Sequence, residues 1–312
     1  MTIKTLFIGS GTFAVEILKG LQGFVLVELV GVVTQPDKPT GRKKIMTPSP
    51  VGTYVQGMES IFKPVKLRFD ADKILQQTLP ELVVVADYGQ IVPLSIINYP
   101  KYKCLNVHGS LLPDLRGAVP IPVAILKGYK RTGVSIPIMT SKMDDGDVLA
   151  VAKVAIASND TAESLKHKLA VIGSDLLNKT IPDWVAGKVK PVEQDESKAT
   201  FTWQKDIAKE KAQIKPGMTV EEVDRMIRAF YTWPVAWCNI NDGDRNKIVK
   251  IYSAEITESP VPAKQFYGFV KSGKKLILQL GDSGLIVNSI QMEGKRIMLG
   301  KDALFLDGKL LS

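Results

Sequence analysis

The sequence predicts an α/β chain in two parts: a Rossmann-like domain on a mostly parallel sheet, then a small OB-like β-barrel domain. Three observations carry this. Over residues 1–190, short apolar runs alternate with segments of helical spacing, the pattern of strands joined by crossover helices. Past a polar, irregular linker at 191–204, residues 205–312 change to short strands joined by tight turns, which is how small barrels read. The length, 312 residues with 45% of them apolar, suits two domains at roughly 100–200 residues each.

The elements follow in order. Ile3 to Gly9 is a buried strand that runs into a glycine turn, and Ala14 to Leu21 keeps a helical stripe. A second strand, Val25 to Val33, ends in Thr34-Gln35-Pro36-Asp37, expected to be a loop because Pro36 and Pro39 oppose regular pairing. Leu82 to Ala86 and Leu105 to Val107 are two more short buried strands. Functional sites in such sheets lie beyond the carboxyl ends of the strands. Residues 161–187 form one helix, opened by Thr161-Ala162-Glu163 and closed near Gly187. Thr219-Val220-Glu221-Glu222 is a capping box, and Val223, Met226, Ile227 and Phe230 continue a helix. Strands at 235–240 and 247–256 flank Asn241-Asp242-Gly243-Asp244, those at 266–271 and 275–280 flank Ser272-Gly273, and others fall near 285–290 and 295–299.

Composition narrows the chemistry. The two cysteines, Cys104 and Cys238, lie in separate halves of the chain, which argues against a disulfide framework and leaves too few for a cysteine zinc site. With only His108 and His167, a multi-histidine metal centre is nearly excluded. No apolar run approaches the roughly 20 residues that span a bilayer, and Met1-Thr2-Ile3-Lys4 leads directly into a strand. The expectation is a cytoplasmic protein without signal or transit peptide. The net charge of +9 is spread over both halves, so it permits a polyanionic partner without requiring one.

Four constellations stand out. Gly9-Ser10-Gly11-Thr12-Phe13-Ala14 fits a dinucleotide fingerprint, but the second strand ends in Val33-Thr34-Gln35 without the carboxylate that would hold a ribose. These glycines are expected to serve a tight turn. Arg42, Lys43 and Lys44 sit on a Gly/Pro-rich loop that suits phosphate contacts or is simply solvated. Asn106 and His108, two apart on an extended segment, face the same way. An amide donor beside an imidazole suits acyl transfer, the amide steadying an oxyanion and the imidazole moving protons; a buried structural histidine is the plain alternative. Met143-Asp144-Asp145-Gly146-Asp147 lacks the spacing of a calcium loop, and one of its carboxylates could orient His108. His167 is expected on an exposed helix face.

Asn106-Val107-His108-Gly109-Ser110-Leu111-Leu112-Pro113, followed by Arg116-Gly117-Ala118-Val119-Pro120-Ile121, closely resembles the signature of the 10-formyltetrahydrofolate-dependent formyltransferases. Met143 to Asp147 resembles their second block, usually Leu-Asp-Thr-Gly-Asp. Within the family, Thr34 to Lys44, Pro48-Ser49-Pro50-Val51, Lys209 to Ile214 and Ile227-Arg228-Ala229-Phe230 with Trp233-Pro234 resemble the branch whose acceptor is methionyl initiator tRNA. The likeness covers nearly the whole chain. Met143, Asp145, Asp114, Asp87 and a slightly shortened basic loop depart from the pattern.

The resemblance implies transfer of a formyl group from 10-formyltetrahydrofolate, as co-substrate, to the α-amine of methionyl initiator tRNA, for translation initiation and without a metal. It gives Asn106 the oxyanion, His108 the proton relay and Asp144 the orientation of His108. Ser110, Leu111, Leu112 and Pro113 would line the folate pocket. Arg42, Lys43 and Lys44 would meet the acceptor stem, and the C-terminal domain would hold the tRNA body. A monomer is expected, since no long apolar stripe is evident. The rival readings are a formyltransferase for a small amine, a formyl hydrolase, an oxidoreductase and a non-catalytic RNA-binding module.

Overall fold

The computed structural model describes residues 2–41, 43–242, 245–257 and 266–312, which gather into two compact units. The first takes Met1–Gly117, Arg131–Ala155 and Lys166–Phe201; the second takes Ala118–Lys130, Ile156–Leu165 and Thr202–Ser312.

The chain begins with β1 (Ile3–Gly9), α1 (Thr12–Gln22), β2 (Val27–Val33), β3 (Lys38–Thr40), β4 (Ile45–Thr47), α2 (Pro50–Tyr54), β5 (Ile61–Phe62), α3 (Leu67–Thr78), β6 (Leu82–Ala86), α4 (Leu94–Ile97) and β7 (Cys104–Asn106). One parallel sheet runs β5-β2-β1-β6-β7. The chain steps outward from β1 to β2 and β5, then returns to β6 on the other side of β1. That reversal opens a crevice at the carboxyl ends of the strands. β6, Leu-Val-Val-Val-Ala, is buried at every position, as a central parallel strand covered on both faces must be.

After β7 come β8 (Arg116–Gly117), α5 (Pro120–Leu126), β9 (Arg131–Pro137), β10 (Val148–Ala155), α6 (Ala162–Val185) and β11 (Phe201–Thr202). β9 and β10 pair antiparallel. Antiparallel bridges between Leu105 and Ile138 and between His108 and Ser135 lay β9 along the end of β7.

One expectation needs correction. Residues 38–40 are not loop: Lys38–Thr40 pairs with Ile45–Thr47, and Pro39 stands opposite Met46. This ribbon has only two strands, so the N–H that proline lacks has no ladder partner to lose on the outer edge. Arg42, Gly243 and Asp244 lie outside the described residues.

The glycines after β1 do serve packing. A side chain at Gly9 would press on Ala14 and the Ala86 carbonyl, and one at Gly11 would run into the Asp87 carboxylate. The Ser10 and Gly11 amides donate to the Asp87 carbonyl at 3.1 and 3.3 Å, and the Phe13 amide donates to its carboxylate. A carboxylate of the chain itself thus stands at the α1 N-terminus, where nucleotide-binding turns receive a phosphate. Burial pushes the Asp87 carboxyl above its ordinary range, opposed in part by the charge of Lys166 and by the Phe13 amide.

In the second unit, α7 (Val220–Ala229) starts at the expected capping box, with Glu222 N–H donating to Thr219 Oγ1 at 3.2 Å and Thr219 N–H to Glu222 Oε2 at 2.9 Å. Its Val223, Met226 and Ile227 are buried among side chains of β12 (Ala236–Asp242), β13 (Arg245–Ile256), β14 (Phe266–Ser272), β15 (Lys275–Gly281), β16 (Ser283–Met292) and β17 (Met298–Leu299). The antiparallel order is β12-β13-β16-β15-β14. Residues 308–312 then close the curl: Leu311 N–H donates to Tyr267 O on β14 and Phe269 N–H to Lys309 O, while Asn241 N–H on β12 donates to Leu310 O and Ser312 N–H to Asn239 O. Among the described residues, no helix is long and apolar enough to cross a membrane.

Candidate active site

β7 ends at Asn106, and the chain keeps extended geometry for two more residues. Val107 N–H donates to Val85 O at 2.9 Å, and His108 exchanges both backbone hydrogen bonds with Ser135 of β9, at 2.9 and 3.0 Å. Asn106 and His108 are therefore fixed by strand pairing on either side and project from the same face. The chain then leaves in a tight loop, where Ser110 Oγ donates to Asp114 O at 2.6 Å and Ser135 Oγ donates to Ser110 O at 2.8 Å.

The third residue arrives from the loop between β9 and β10. Ile138 N–H donates to Asp147 O at 2.9 Å, and a side chain at Gly146 would strike the Ile138 carbonyl. The Thr140 hydroxyl donates to the Asp145 carboxylate. So Asp145, the extra acid in this block, is tied to its own loop. Asp144 sits at φ 50°, a left-handed conformation that a non-glycine residue adopts only when its surroundings hold it there.

The Asp144 carboxylate joins the site. Its Oδ1 accepts from Asn106 Nδ2 at 3.1 Å, and its Oδ2 accepts from the Gly117 backbone N–H at 2.8 Å. His108 Nδ1 lies 3.7 Å from Oδ2, too far for a direct hydrogen bond but close enough for strong attraction if the ring is charged. His108 Nε2 lies 3.0 Å from Leu115 O. A carbonyl only accepts, so Nε2 carries the proton and Nδ1 of the neutral ring is free to take one. His108 is only 6% exposed. A carboxylate also only accepts, which fixes the Asn106 amide with Nδ2 towards Asp144 and leaves the second N–H of that nitrogen for another acceptor.

The sequence-predicted residues thus fall into groups. Asn106 and His108 lie together, as their spacing predicts, and Asp144 joins them, as the resemblance implies. Asp144, however, makes its direct hydrogen bonds to Asn106 and Gly117 and meets His108 only across a gap. Ser110 is 1% exposed, and its hydroxyl is used inside the loop. The Leu111 side chain lies over Gly133, whereas Leu112 and Pro113 line a cleft of about 250 Å³ with Val148–Val151 and residues 192–195. Lys43 and Lys44 are exposed in the β3–β4 hairpin, and His167 is exposed on α6.

Sequence reasoning missed the supports. The Leu115 carbonyl and the Gly117 amide contribute backbone atoms, which no side-chain pattern reveals. Gln194 and Thr200 lie in the stretch expected to be a linker, yet Gln194 Nε2 donates to the carbonyls of Asp144 and Gly146 at 2.8 and 2.6 Å, and Thr200 Oγ1 accepts from Leu115 N–H at 2.8 Å. The available signal was Arg116, a cation inside an apolar motif that had to find buried partners.

Comparison with known proteins identifies the family. The family model described as Formyl transferase matches residues 1–181, and that of the Formyl transferase C-terminal domain matches residues 206–306. A methionyl-tRNA formyltransferase of Bacillus velezensis is 38% identical over 98% of this chain and 95% of its own. One from Bacillus subtilis is 37% identical over 96% and 93%. Among solved structures, an N-formyltransferase from Helicobacter canadensis superposes with a TM-score of 0.65 at 18% identity, covering 92% of this chain and 99% of that one. HypX from Aquifex aeolicus, solved with tetrahydrofolic acid, gives 0.67 at 15% identity over 99% of this chain and 48% of its own. These two likenesses bear on the fold.

Proposed function

The chain belongs to the formyl transferase family, with methionyl-tRNA formyltransferases as its curated relatives, and from that premise we propose how its residues carry the reaction. The enzyme moves the formyl group from N10 of 10-formyltetrahydrofolate to the α-amine of methionyl initiator tRNA, without a covalent enzyme intermediate. The single observation that carries the reading is the convergence of Asn106 Nδ2 and His108 Nδ1 on the Asp144 carboxylate.

The amine attacks the formyl carbon and forms a tetrahedral intermediate. The free N–H of Asn106 donates to its oxyanion, a role worth about 3–4 kcal/mol in other acyl-transfer enzymes. His108 Nδ1 takes the proton of the attacking amine. The imidazolium so formed is stabilised by Asp144 across the 3.7 Å gap and then protonates N10 as tetrahydrofolate leaves. Asp144 also pins Asn106, so a single carboxylate governs both partners. Leu111, Leu112 and Pro113 belong to the folate side of the site, while Ser110 shapes their loop.

Residues 1–190 form the catalytic domain, 191–204 the linker and 205–312 the tRNA-binding domain. Arg42, together with Lys43 and Lys44 of the β3–β4 hairpin, meets the phosphates of the acceptor stem. The enzyme acts as a monomer in the cytoplasm, where charged tRNA is found; the absence of a disulfide between the buried thiols Cys104 and Cys238 suits a reducing compartment.

The test is formyl transfer from 10-formyltetrahydrofolate to charged initiator tRNA, beside free methionine and a no-acceptor control. Transfer to the charged tRNA alone is expected. Formate release without an acceptor, or indifference to tRNA, would move the chemistry to a sister reaction.

A further inference from the structure

Two backbone stations hold the pair that moves the proton. His108 is held at the Leu115 carbonyl, and Asp144 is held through its own main chain. Leu115 and Asp144 sit at φ 57° and φ 50°, so neither station is a relaxed backbone and each depends on neighbours to keep it in place. Both are braced from the same short segment, residues 194–200.

Gln194 has every polar position of its amide filled. Its Nε2 donates to Asp144 O at 2.8 Å and to Gly146 O at 2.6 Å, and its Oε1 accepts from Arg116 Nε at 3.1 Å and Nη2 at 2.9 Å. Arg116, 2% exposed, turns its far edge to Glu196, with Nη2 2.6 Å from Oε1 and Nη1 3.1 Å from Oε2. At the other station, Thr200 Oγ1 accepts from Leu115 N–H, and Thr200 O accepts from Arg116 N–H, both at 2.8 Å.

We propose that Gln194 is a positioning residue for formyl transfer: its two amide protons hold the backbone turn that presents the Asp144 carboxylate to Asn106 and His108, and Arg116 fixes the amide in the orientation that makes this possible. The inference rests on the reading of Asn106, His108 and Asp144 as the transfer site. The chemistry is selective. Arg116 has donors only, so it forces the Gln194 oxygen towards itself and the nitrogen towards the two carbonyls. A glutamate at this position would keep the arginine pair but set oxygen against both carbonyls.

The experiment uses that asymmetry on the full chain. Gln194→Glu and Gln194→Leu are compared with the wild type and with Ser197→Ala, which loses a hydrogen bond to Asp195 on the same segment but touches neither station. Wild type and Ser197→Ala should have the same kcat. Both Gln194 variants should lose about 10–100-fold in kcat, the range of outer-shell losses elsewhere, with KM for each substrate within about twofold. The chain has only two histidines, so the His108 ring proton signal is easily followed, and it should shift in Gln194→Glu while that of His167 stays. Gln194→Glu decides alone if Gln194→Leu no longer melts cooperatively. The proposal is overturned if folded Gln194→Glu keeps wild-type kcat, if its loss appears in KM alone with the His108 signal unmoved, or if it too fails to melt cooperatively. A wild type that transfers no formyl group would instead overturn the functional reading beneath it.

Discussion

At the residue scale, the division of labour around Asp144 makes distinct predictions for His108 and Asn106. Replacing His108 with Asn removes the proton acceptor, so turnover should vanish while tRNA affinity, measured by filter binding, stays near wild type. Asn106→Ala removes one oxyanion donor and should lower kcat about 10²–10³-fold, with a smaller change in KM. Asp87 makes a prediction about stability rather than rate. Burial raises its carboxyl pKa in the folded chain, so the folded state holds its proton to higher pH than the unfolded chain does. Stability therefore falls as pH rises above the unfolded carboxyl range. Asp87→Asn keeps an acceptor for the Phe13 amide and should melt higher than wild type at pH 7, the gap closing as pH falls towards 4; equal melting curves at pH 7 would take Asp87 out of the pH dependence of stability.

At the scale of elements, what the sequence discloses depends on whether the cause is local. The strand Leu82–Ala86 and the cap at Thr219 are read correctly because continuous burial and side-chain capping leave their mark on adjacent residues. Thr219→Ala should accordingly cost about 1 kcal/mol in denaturant melts. The β3–β4 hairpin is misread because the rule against proline in strands presumes a partner on both edges, and a ribbon of two strands has none. The site divides in the same way. Asn106 and His108 are legible since strand periodicity puts them on one face, and Asp144 becomes legible through the resemblance. Leu115, Gly117 and Gln194 act through main-chain atoms or across long sequence separations, and a stretch as polar as residues 191–204 carries no mark of the partners that Gln194 and Thr200 find.

At the scale of the whole molecule, the net charge of +9 takes on meaning from the proposed tRNA substrate. Each phosphate contact made by a cation releases counterions, so KM for tRNA should climb steeply with salt. Lys43→Ala and Lys44→Ala should each flatten that slope by about one, with kcat at saturating tRNA little changed; an unaltered slope would take the hairpin out of tRNA recognition. The second unit draws its stability from a core that includes the residues closing it. Leu311 is 8% exposed within that core, and Leu311→Ala should cost about 2–5 kcal/mol.

Residues 308–312 stand between β14 and β12, strands at opposite ends of the sheet order. In amide hydrogen exchange, Phe269 and Asn241, far apart in sequence and in the sheet's ladder, answer to one opening event because one short segment shields both. Their exchange should quicken together, in step, when that segment is loosened, while the inner ladder of β13 and β16 keeps its slower clock.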